Sequence, residues 1–256
     1  MLSTDLNQLA QELSVSRPHY LLNVPALLER IQTRVSNKIQ EQGGIGYMIF
    51  RHGKSAWIRQ QNNKWQLWDP IWLLLGRSLV FSKIKKKLGP NLRALICGST
   101  PLLKETQLFF EMIGIPVLQV YGLTETTAIC TMDNVNHTVA GRVGPAISGI
   151  EMVLSSDQEI LVRGPNVFPG YWNRQEATDE VLQNGWFHTG DQGEIDKNGN
   201  WEIVGRVKNI IITTSGHNIS PEPLERKLEA LLPQSEHVFV VGNSICVDCF
   251  LNMSRV

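Results

Sequence analysis

Leu92-Arg93-Ala94-Leu95-Ile96-Cys97-Gly98-Ser99-Thr100-Pro101, and one helix further on Ile115-Pro116-Val117-Leu118-Gln119-Val120-Tyr121-Gly122-Leu123-Thr124-Glu125-Thr126-Thr127, decide how this chain folds. Each begins as a short apolar run closed by turn residues, which reads as a buried strand. Between them, from about Leu102 to Ile113, the spacing predicts a helix with Leu103, Leu108, Phe109 and Met112 as candidate buried residues, ended by Gly114. Strand, helix and strand with short links imply a parallel pair joined by a right-handed crossover. Both strands then finish on one edge of the sheet. Gly98–Pro101 and Tyr121–Glu125 are expected at the same crevice, where open α/β sheets bind ligands. There the chain offers the hydroxyl of Thr124 and the carboxylate of Glu125 beside a glycine turn. Magnesium takes hard oxygens of this kind and shares its shell between one or two carboxylates and substrate phosphates. A solvated glutamate at an ordinary helix start fits the same heptapeptide, so partners elsewhere in the chain decide between the two.

Upstream, residues 3–16 carry Leu6, Leu9, Ala10 and Leu13 at helical spacing, and Arg17–Pro25 reads as a break, a short strand and a second break. A longer helix is expected from Ala26 to about Gln40, stopped by Gly43-Gly44. Residues 45–88 are the hardest to decode. Ile71-Trp72-Leu73-Leu74-Leu75 followed by Lys83-Ile84-Lys85-Lys86-Lys87 reads as a core helix and then a solvated basic face, with an amphipathic membrane-surface segment as the alternative. Gly53-Lys54-Ser55 invites a P-loop reading, but Met48 stands where such a loop needs a glycine.

Downstream of about Asn134 the pattern turns β-rich. Ile150–Leu154 and Glu159–Arg163 read as a hairpin, Phe168-Pro169-Gly170-Tyr171-Trp172 as a bend, and Gln175–Leu182 as a short helix. Thr189-Gly190-Asp191 reads as a turn that presents a carboxylate. Lys197-Asn198-Gly199-Asn200 is an Asn-Gly hairpin turn. Beyond Gly205-Arg206-Val207-Lys208 the chain is expected to form a strand at Asn209–Thr213, a turn at Ser215–Asn218, a helix at about Pro221–Leu232 and one or two final strands.

Composition bounds the function. Hydrophobic residues make up 42% and charged residues 19%, so a core can be buried. A formal net charge of +0 gives no basic stripe for nucleic acid, and none is expected as a partner. Four cysteines are too few for a disulfide scaffold of this length and suit a reducing, cytoplasmic location. The N-terminal residues lack the pattern of a secretory signal, and no apolar run approaches the length of a membrane span. Cys246-Val247-Asp248-Cys249 has no second cysteine pair to complete a structural zinc site and reads as part of a strand.

Thr189-Gly190-Asp191, Gly205-Arg206-Val207-Lys208 and the segment around Gly216, Asn218 and Pro221 are each an ordinary turn or strand end when taken singly. In order, they say more. Strand–Gly-Ser-Thr-Pro–helix–strand–Tyr-Gly-Leu-Thr-Glu, then Trp-Phe-His-Thr-Gly-Asp, then Gly-Arg-Val-Lys, then Ser-Gly-His-Asn-Ile-x-Pro-x-x-Leu-Glu resembles the adenylate-forming, AMP-binding superfamily of acyl-CoA synthetases, luciferases and peptide-synthetase adenylation domains. Arg17-Pro18-His19-Tyr20-Leu21-Leu22-Asn23-Val24-Pro25-Ala26-Leu27-Leu28-Glu29-Arg30 and Asn218-Ile219-x-Pro221-x-Pro223 look like its long-chain fatty acid–CoA ligase branch.

The resemblance implies an α/β fold. Residues 1–205 would be the back half of the large domain, with a parallel α/β sheet to about 133 and a β-rich subdomain over 134–205. Residues 206–256 would begin the small α+β C-terminal domain. It implies ATP, magnesium and CoA as cofactors and a fatty acid as substrate. Gly98, Ser99, Thr100 and Pro101 would line the adenine, with Tyr121 and Gly122 beside them. Thr124 would meet phosphate and Glu125 would hold magnesium. Asp191 with Arg206 would take the ribose hydroxyls, Lys208 would sit at the hinge between domains, and Gly216 would face CoA. The reaction implied is carboxylate plus ATP to acyl-adenylate and pyrophosphate, then CoA to acyl-CoA and AMP.

Two parts of the family pattern are missing: an upstream Ser/Thr/Gly-rich loop whose lysine grips the β- and γ-phosphates, and a far C-terminal lysine. The chain is therefore expected to be a piece of a longer enzyme, with an N-terminal segment encoded separately as a partner. Peripheral membrane contact is the alternative to a purely cytoplasmic location. A catalytically silent nucleotide-binding remnant, and a superfamily member acting on another carboxylate, are the rival readings.

Overall fold

The computed structural model describes residues 9–212, 218–222, 224, 225, 228, 232, 235–242 and 247–253. The chain divides into two compact units, residues 1–120 with 133–141 and residues 121–132 with 142–256.

The first unit packs helices on a parallel sheet. After α1 (Leu9–Ser16) comes β1 (Tyr20–Asn23), then α2 (Pro25–Gln42) and α3 (Gly44–Gln61). Pro25 opens α2, where its missing N–H is no loss, and Gly43, at φ 57, closes it in a conformation that other residues rarely adopt. Then follow α4 (Asp69–Leu75), a π-helical turn over Gly76–Phe81 and α5 (Ser82–Leu88). β2 (Ala94–Cys97), α6 (Lys104–Met112) and β3 (Val117–Tyr121) form the expected crossover. β2 lies parallel to both β1 and β3, with Leu21 opposite Leu95 and Leu95 opposite Val117. Leu28, Phe50, Phe81, Leu95, Phe109, Phe110 and Ile115 are buried in one core against this sheet.

Residues 44–88 are almost wholly helical. Gly53 lies inside α3, and a Cβ on it would stand 3.0 Å from the Phe81 ring. Gly53-Lys54-Ser55 is thus a helix-packing position and not a phosphate loop. The expectation of a core helix at Ile71–Leu75 needs correction, since Leu73 is buried while Ile71 and Leu74 are exposed. A helix of this length buries one stripe, and the apolar run is longer than that stripe. Lys83, Lys86 and Lys87 are solvated, as expected.

Helix α6 buries two polar residues that the helical pattern did not mark, Thr106 and Gln107. The Gln119 amide donates to Gln107 Oε1 at 2.8 Å, Gln107 donates to the Val117 carbonyl at 3.3 Å, and the Gln119 N–H donates to Asp133 Oδ2 at 3.0 Å. Burial, aided by the charge of Glu111, pushes the Asp133 carboxyl up to about 7. The folded form therefore holds a proton that the unfolded chain has released. Stability is fully present below the unfolded value and falls as pH rises toward 7. Asp133→Asn is expected to flatten that slope and raise the melting temperature above pH 7, as thermal unfolding from pH 4 to 8 would show.

The second unit is antiparallel. It contains β4 (Thr131–Met132), the hairpin of β5 (Glu151–Leu154) and β6 (Glu159–Arg163), then α7 (Gln175–Val181), β7 (Leu182–Gln183), β8 (Trp186–Ile195) and β9 (Trp201–Arg206). β8 has β6 on one side, and β7 then β9 along the other. The expected turn at Thr189-Gly190-Asp191 is instead the middle of β8. Phe187, Thr189, Asp191 and Gly193 alternate as its buried residues, so the period-2 pattern overrides the local turn signal. Gly190 keeps a left-handed φ of 70 within the strand. Beyond Arg206 come two short pairs, β10 (Ile211–Ile212) with β11 (Asn218–Ile219), and β12 (Ser235–Gly242) with β13 (Val247–Met253). Gly216, Pro223, Cys246 and half of the expected helix at Pro221–Leu232 lie outside the described residues. Among the described residues no helix is long and apolar enough to cross a membrane.

Candidate functional site

The chain leaves β3 at Tyr121 and doubles back at once. The Tyr121 carbonyl accepts the Cys130 N–H at 2.7 Å, so Gly122–Ile129 is a closed loop. A Cβ on Gly122 would stand 2.2 Å from the Ala128 carbonyl oxygen, a contact that only backbone movement relieves. Gly122→Ala is accordingly expected to lower the melting temperature, by about 1–3 kcal/mol of stability, and to disturb the loop as seen by loss of ligand binding.

Thr124–Thr126 form one 3-10 turn in which each residue has a different environment. Thr126 is fully buried, and its Oγ1 accepts the Leu123 N–H at 2.9 Å. Thr124 is exposed and Glu125 half-buried. The chain then passes through Thr127 and Ala128, both left-handed at φ 51 and 79. Non-glycine residues reach that region at a cost of roughly 1–3 kcal/mol each, and such strain gathers at functional loops.

Asp191 is the centre of the second cluster. The Tyr121 hydroxyl donates to its Oδ2 at 2.7 Å. Arg206 stands opposite it in the β8–β9 register, with Nε 3.0 Å from Oδ1, and donates from Nη1 to the Thr189 carbonyl at 3.2 Å. Burial raises the Asp191 carboxyl, while the Tyr121 hydroxyl and the Arg206 charge pull it back. Burial first and Asp191 second push the Tyr121 phenol up, so it remains a neutral donor. Glu159 braces the strand from β6, accepting the Gly190 N–H at 2.8 Å and pairing with His188 Nδ1 at 2.9 Å. Asp191 is thus held on two sides, and Arg206 keeps half its side chain in solvent.

Tyr121, Asp191 and Arg206 are brought together by the fold. Glu125 meets a different set, with Tyr171 donating to its Oε1 at 2.8 Å and the Phe168 N–H donating to its carbonyl at 2.7 Å. Gly98, Ser99, Thr100 and Pro101 belong to the first unit, at the end of β2. There Ser99 has φ 79, and Gly98 leaves room for Val120, whose Cγ2 would stand 2.7 Å from a Cβ. Lys208 is exposed in a 3-10 turn after β9. Thr126, Glu159, Asn166 and Tyr171 were not singled out from the sequence. Tyr171 lies 46 residues from Glu125, and no periodicity links a bend to a turn at that distance.

The AMP-binding enzyme model matches residues 2–172. The long-chain-fatty-acid–CoA ligase FadD15 of Mycobacterium tuberculosis is 32% identical over 248 residues, 94% of this chain and 40% of the relative. Long chain acyl-CoA synthetase 8 of Arabidopsis thaliana is 32% identical over 247 residues, 89% of this chain and 34% of that protein. The chain therefore spans about 40% or less of the length of these curated relatives. Among solved structures, the ATP-bound RpMatB-BxBclM chimera B3 superposes with a TM-score of 0.67 at 26% identity, over 99% of this chain and 44% of that one. O-succinylbenzoate coenzyme A synthetase of Bacillus subtilis, solved with ATP and magnesium, gives 0.69 at 20% identity over 99% and 46%, a likeness of fold. With two thirds of its residues under the family model and the parallel crossover and β-rich sheet both in place, the chain belongs to the AMP-binding enzymes.

Proposed function

We propose that this chain carries adenine, ribose and magnesium contacts of an enzyme that activates a long-chain fatty acid with ATP, giving acyl-adenylate and pyrophosphate, then acyl-CoA and AMP with CoA. The observation that carries the reading is Asp191, buried and held between the Tyr121 hydroxyl and the Arg206 guanidinium. A carboxylate so placed accepts the paired hydroxyls of a ribose, and Arg206 shares the same contacts. Gly98, Ser99, Thr100 and Pro101 are assigned to the adenine by the family resemblance, as are Tyr121 and Gly122. Thr124 binds phosphate. The names of the relatives supply the substrate class, a long-chain fatty acid.

Glu125 fits magnesium. It offers one carboxylate whose Oε2 has no partner among the described residues, next to the exposed Thr124 hydroxyl. Magnesium keeps waters and phosphate oxygens around a single protein carboxylate and needs no protein cage. Consistently, no group of three or more His, Cys, Asp or Glu among the described residues could hold a metal alone. Magnesium held there would supply neutralisation of phosphate charge. Asp191 and Arg206 fix the nucleotide, Thr124 orients the phosphate and Glu125 supplies the anionic ligand, so these residues contribute positioning and electrostatics. Lys208 marks the hinge into the domain of residues 206–256, and Gly216 is the residue assigned to CoA.

The test is ATP–pyrophosphate exchange by the longest polypeptide that carries this chain, with long-chain fatty acids, aryl acids and amino acids compared. Exchange driven by long-chain fatty acids is the expected result. Exchange driven by another acid changes the substrate. ATP binding without exchange for any acid leaves only a nucleotide-binding remnant.

A further inference from the structure

The turn that carries Glu125 does not hold that side chain in place. Its hold comes from residues 166–171. The Asn166 amide donates to the Thr126 carbonyl at 3.1 Å and to the Ile129 carbonyl at 3.3 Å, and the Thr127 hydroxyl donates to the Asn166 carbonyl at 2.7 Å. These bonds span the left-handed pair Thr127 and Ala128, which keeps the strained loop in one conformation. Phe168 then fixes the Glu125 backbone and Tyr171 takes Oε1.

Tyr171 is itself held from three directions. Its N–H donates to the Thr178 hydroxyl at 2.9 Å, and its ring meets Phe168 edge-on with centroids 4.8 Å apart. Gly170 before it has φ 144 and no room for a Cβ, which would stand 2.7 Å from Thr178 Cγ2. The ring of Phe168 in turn meets buried Phe187 of β8. Tyr171 is 37% exposed, so water is available to its hydroxyl. Satisfying a buried polar group is therefore no reason for a rigid tyrosine on one carboxylate oxygen.

We propose that Tyr171 is a positioning residue for Glu125, holding Oε1 so that Oε2 is presented to the cation that accompanies the nucleotide. The proposal rests on the reading of Glu125 as the metal ligand. Groups that bond to a metal-ligating side chain fix its orientation, and their loss commonly weakens metal binding 10- to 100-fold. The clamp also connects β8 to the metal side of the site, because Phe187 and Asp191 lie on the same inward face of that strand, with Thr189 between them.

The experiment titrates the full chain with Mn2+ as a paramagnetic stand-in for Mg2+, in the presence of ATP, and reads free Mn2+ by electron paramagnetic resonance. Tyr171→Phe keeps the ring on Phe168 and removes only the hydroxyl. It is expected to weaken Mn2+ uptake about tenfold, with metal-free ATP binding and melting temperature close to wild type. Thr178→Val frees the Tyr171 backbone but keeps its hydroxyl, and is expected to lose a smaller factor in the same direction. It carries the test if Tyr171→Phe fails to fold. In a Glu125→Gln background, Tyr171→Phe should change nothing further. Unchanged or tighter Mn2+ uptake by Tyr171→Phe overturns the proposal while leaving Glu125 in place. If Glu125→Gln takes up Mn2+ as well as wild type, or wild type takes up none, the underlying reading of Glu125 falls and the proposal with it.

Discussion

Asp191→Ala is expected to weaken ATP and AMP binding by about a hundredfold or more. Two hydrogen bonds from ribose hydroxyls to a charged acceptor are lost, each of roughly 1.5–3 kcal/mol. The substitution also strands its neighbours. The Tyr121 hydroxyl loses the oxygen 2.7 Å away, and Arg206 loses its partner at 3.0 Å. Tyr121 is mostly buried, so its orphaned hydroxyl carries a desolvation cost of about 1–3 kcal/mol and the melting temperature should fall as well. Asp191→Asn separates the two effects. Its side-chain oxygen still accepts from Tyr121, so stability should be largely kept, while the pairing with Arg206 and the anionic acceptor are gone. Calorimetric titration of both variants with ATP and 2′-deoxy-ATP provides the check. Wild type should discriminate against the deoxy nucleotide and Asp191→Ala should not. Equal discrimination by both would remove Asp191 from the ribose.

The parallel crossover was readable because two short apolar runs with a helix-length segment between them admit few other arrangements, and the structure has the strands at Ala94–Cys97 and Val117–Tyr121 with α6 between. Its interior was less readable. Gln107 and Gln119 are buried in an amide ladder, and Phe110 lies beside Phe109 in the core. A polar residue announces burial only through partners that are distant in sequence. Residues 44–88 were opaque for a related reason. Their apolar content exceeds what one helical stripe buries, leaving Leu67, Trp68, Ile71 and Leu74 exposed, so periodicity could not mark an inside. Thr189-Gly190-Asp191 looked like a turn because glycine after threonine is common in turns. The alternation of β8 becomes visible only once Phe187 and Gly193 are counted with it. In the site, Tyr121 and Asp191 lie 70 residues apart and touch. Only the order of the motifs suggested that they belonged together. Tyr171, Asn166 and Glu159 carry no motif, since each acts through one bond that depends on the fold.

Glu125→Gln should reduce ATP–pyrophosphate exchange on the order of a hundredfold to a thousandfold, the range for loss of one electrostatic element in an active site. The substitution is nearly isosteric, and the glutamine Oε1 can still accept from the Tyr171 hydroxyl. The Phe168 N–H to residue 125 carbonyl bond, 2.7 Å in the structure, is independent of the side chain. The fold and the melting temperature should therefore be preserved, and the loss should belong to the missing negative charge. Glu125→Asp poses the complementary question. It keeps the charge but draws the carboxylate back by one methylene, away from the Tyr171 hydroxyl. If charge is what the cation needs and Tyr171 supplies only aim, raising magnesium should recover much of the exchange of Glu125→Asp and little of that of Glu125→Gln. Exchange assayed across a magnesium series decides it. A Glu125→Gln enzyme with wild-type exchange at every magnesium concentration would place the metal ligand elsewhere and return Glu125 to the role of a solvated glutamate at a tight turn.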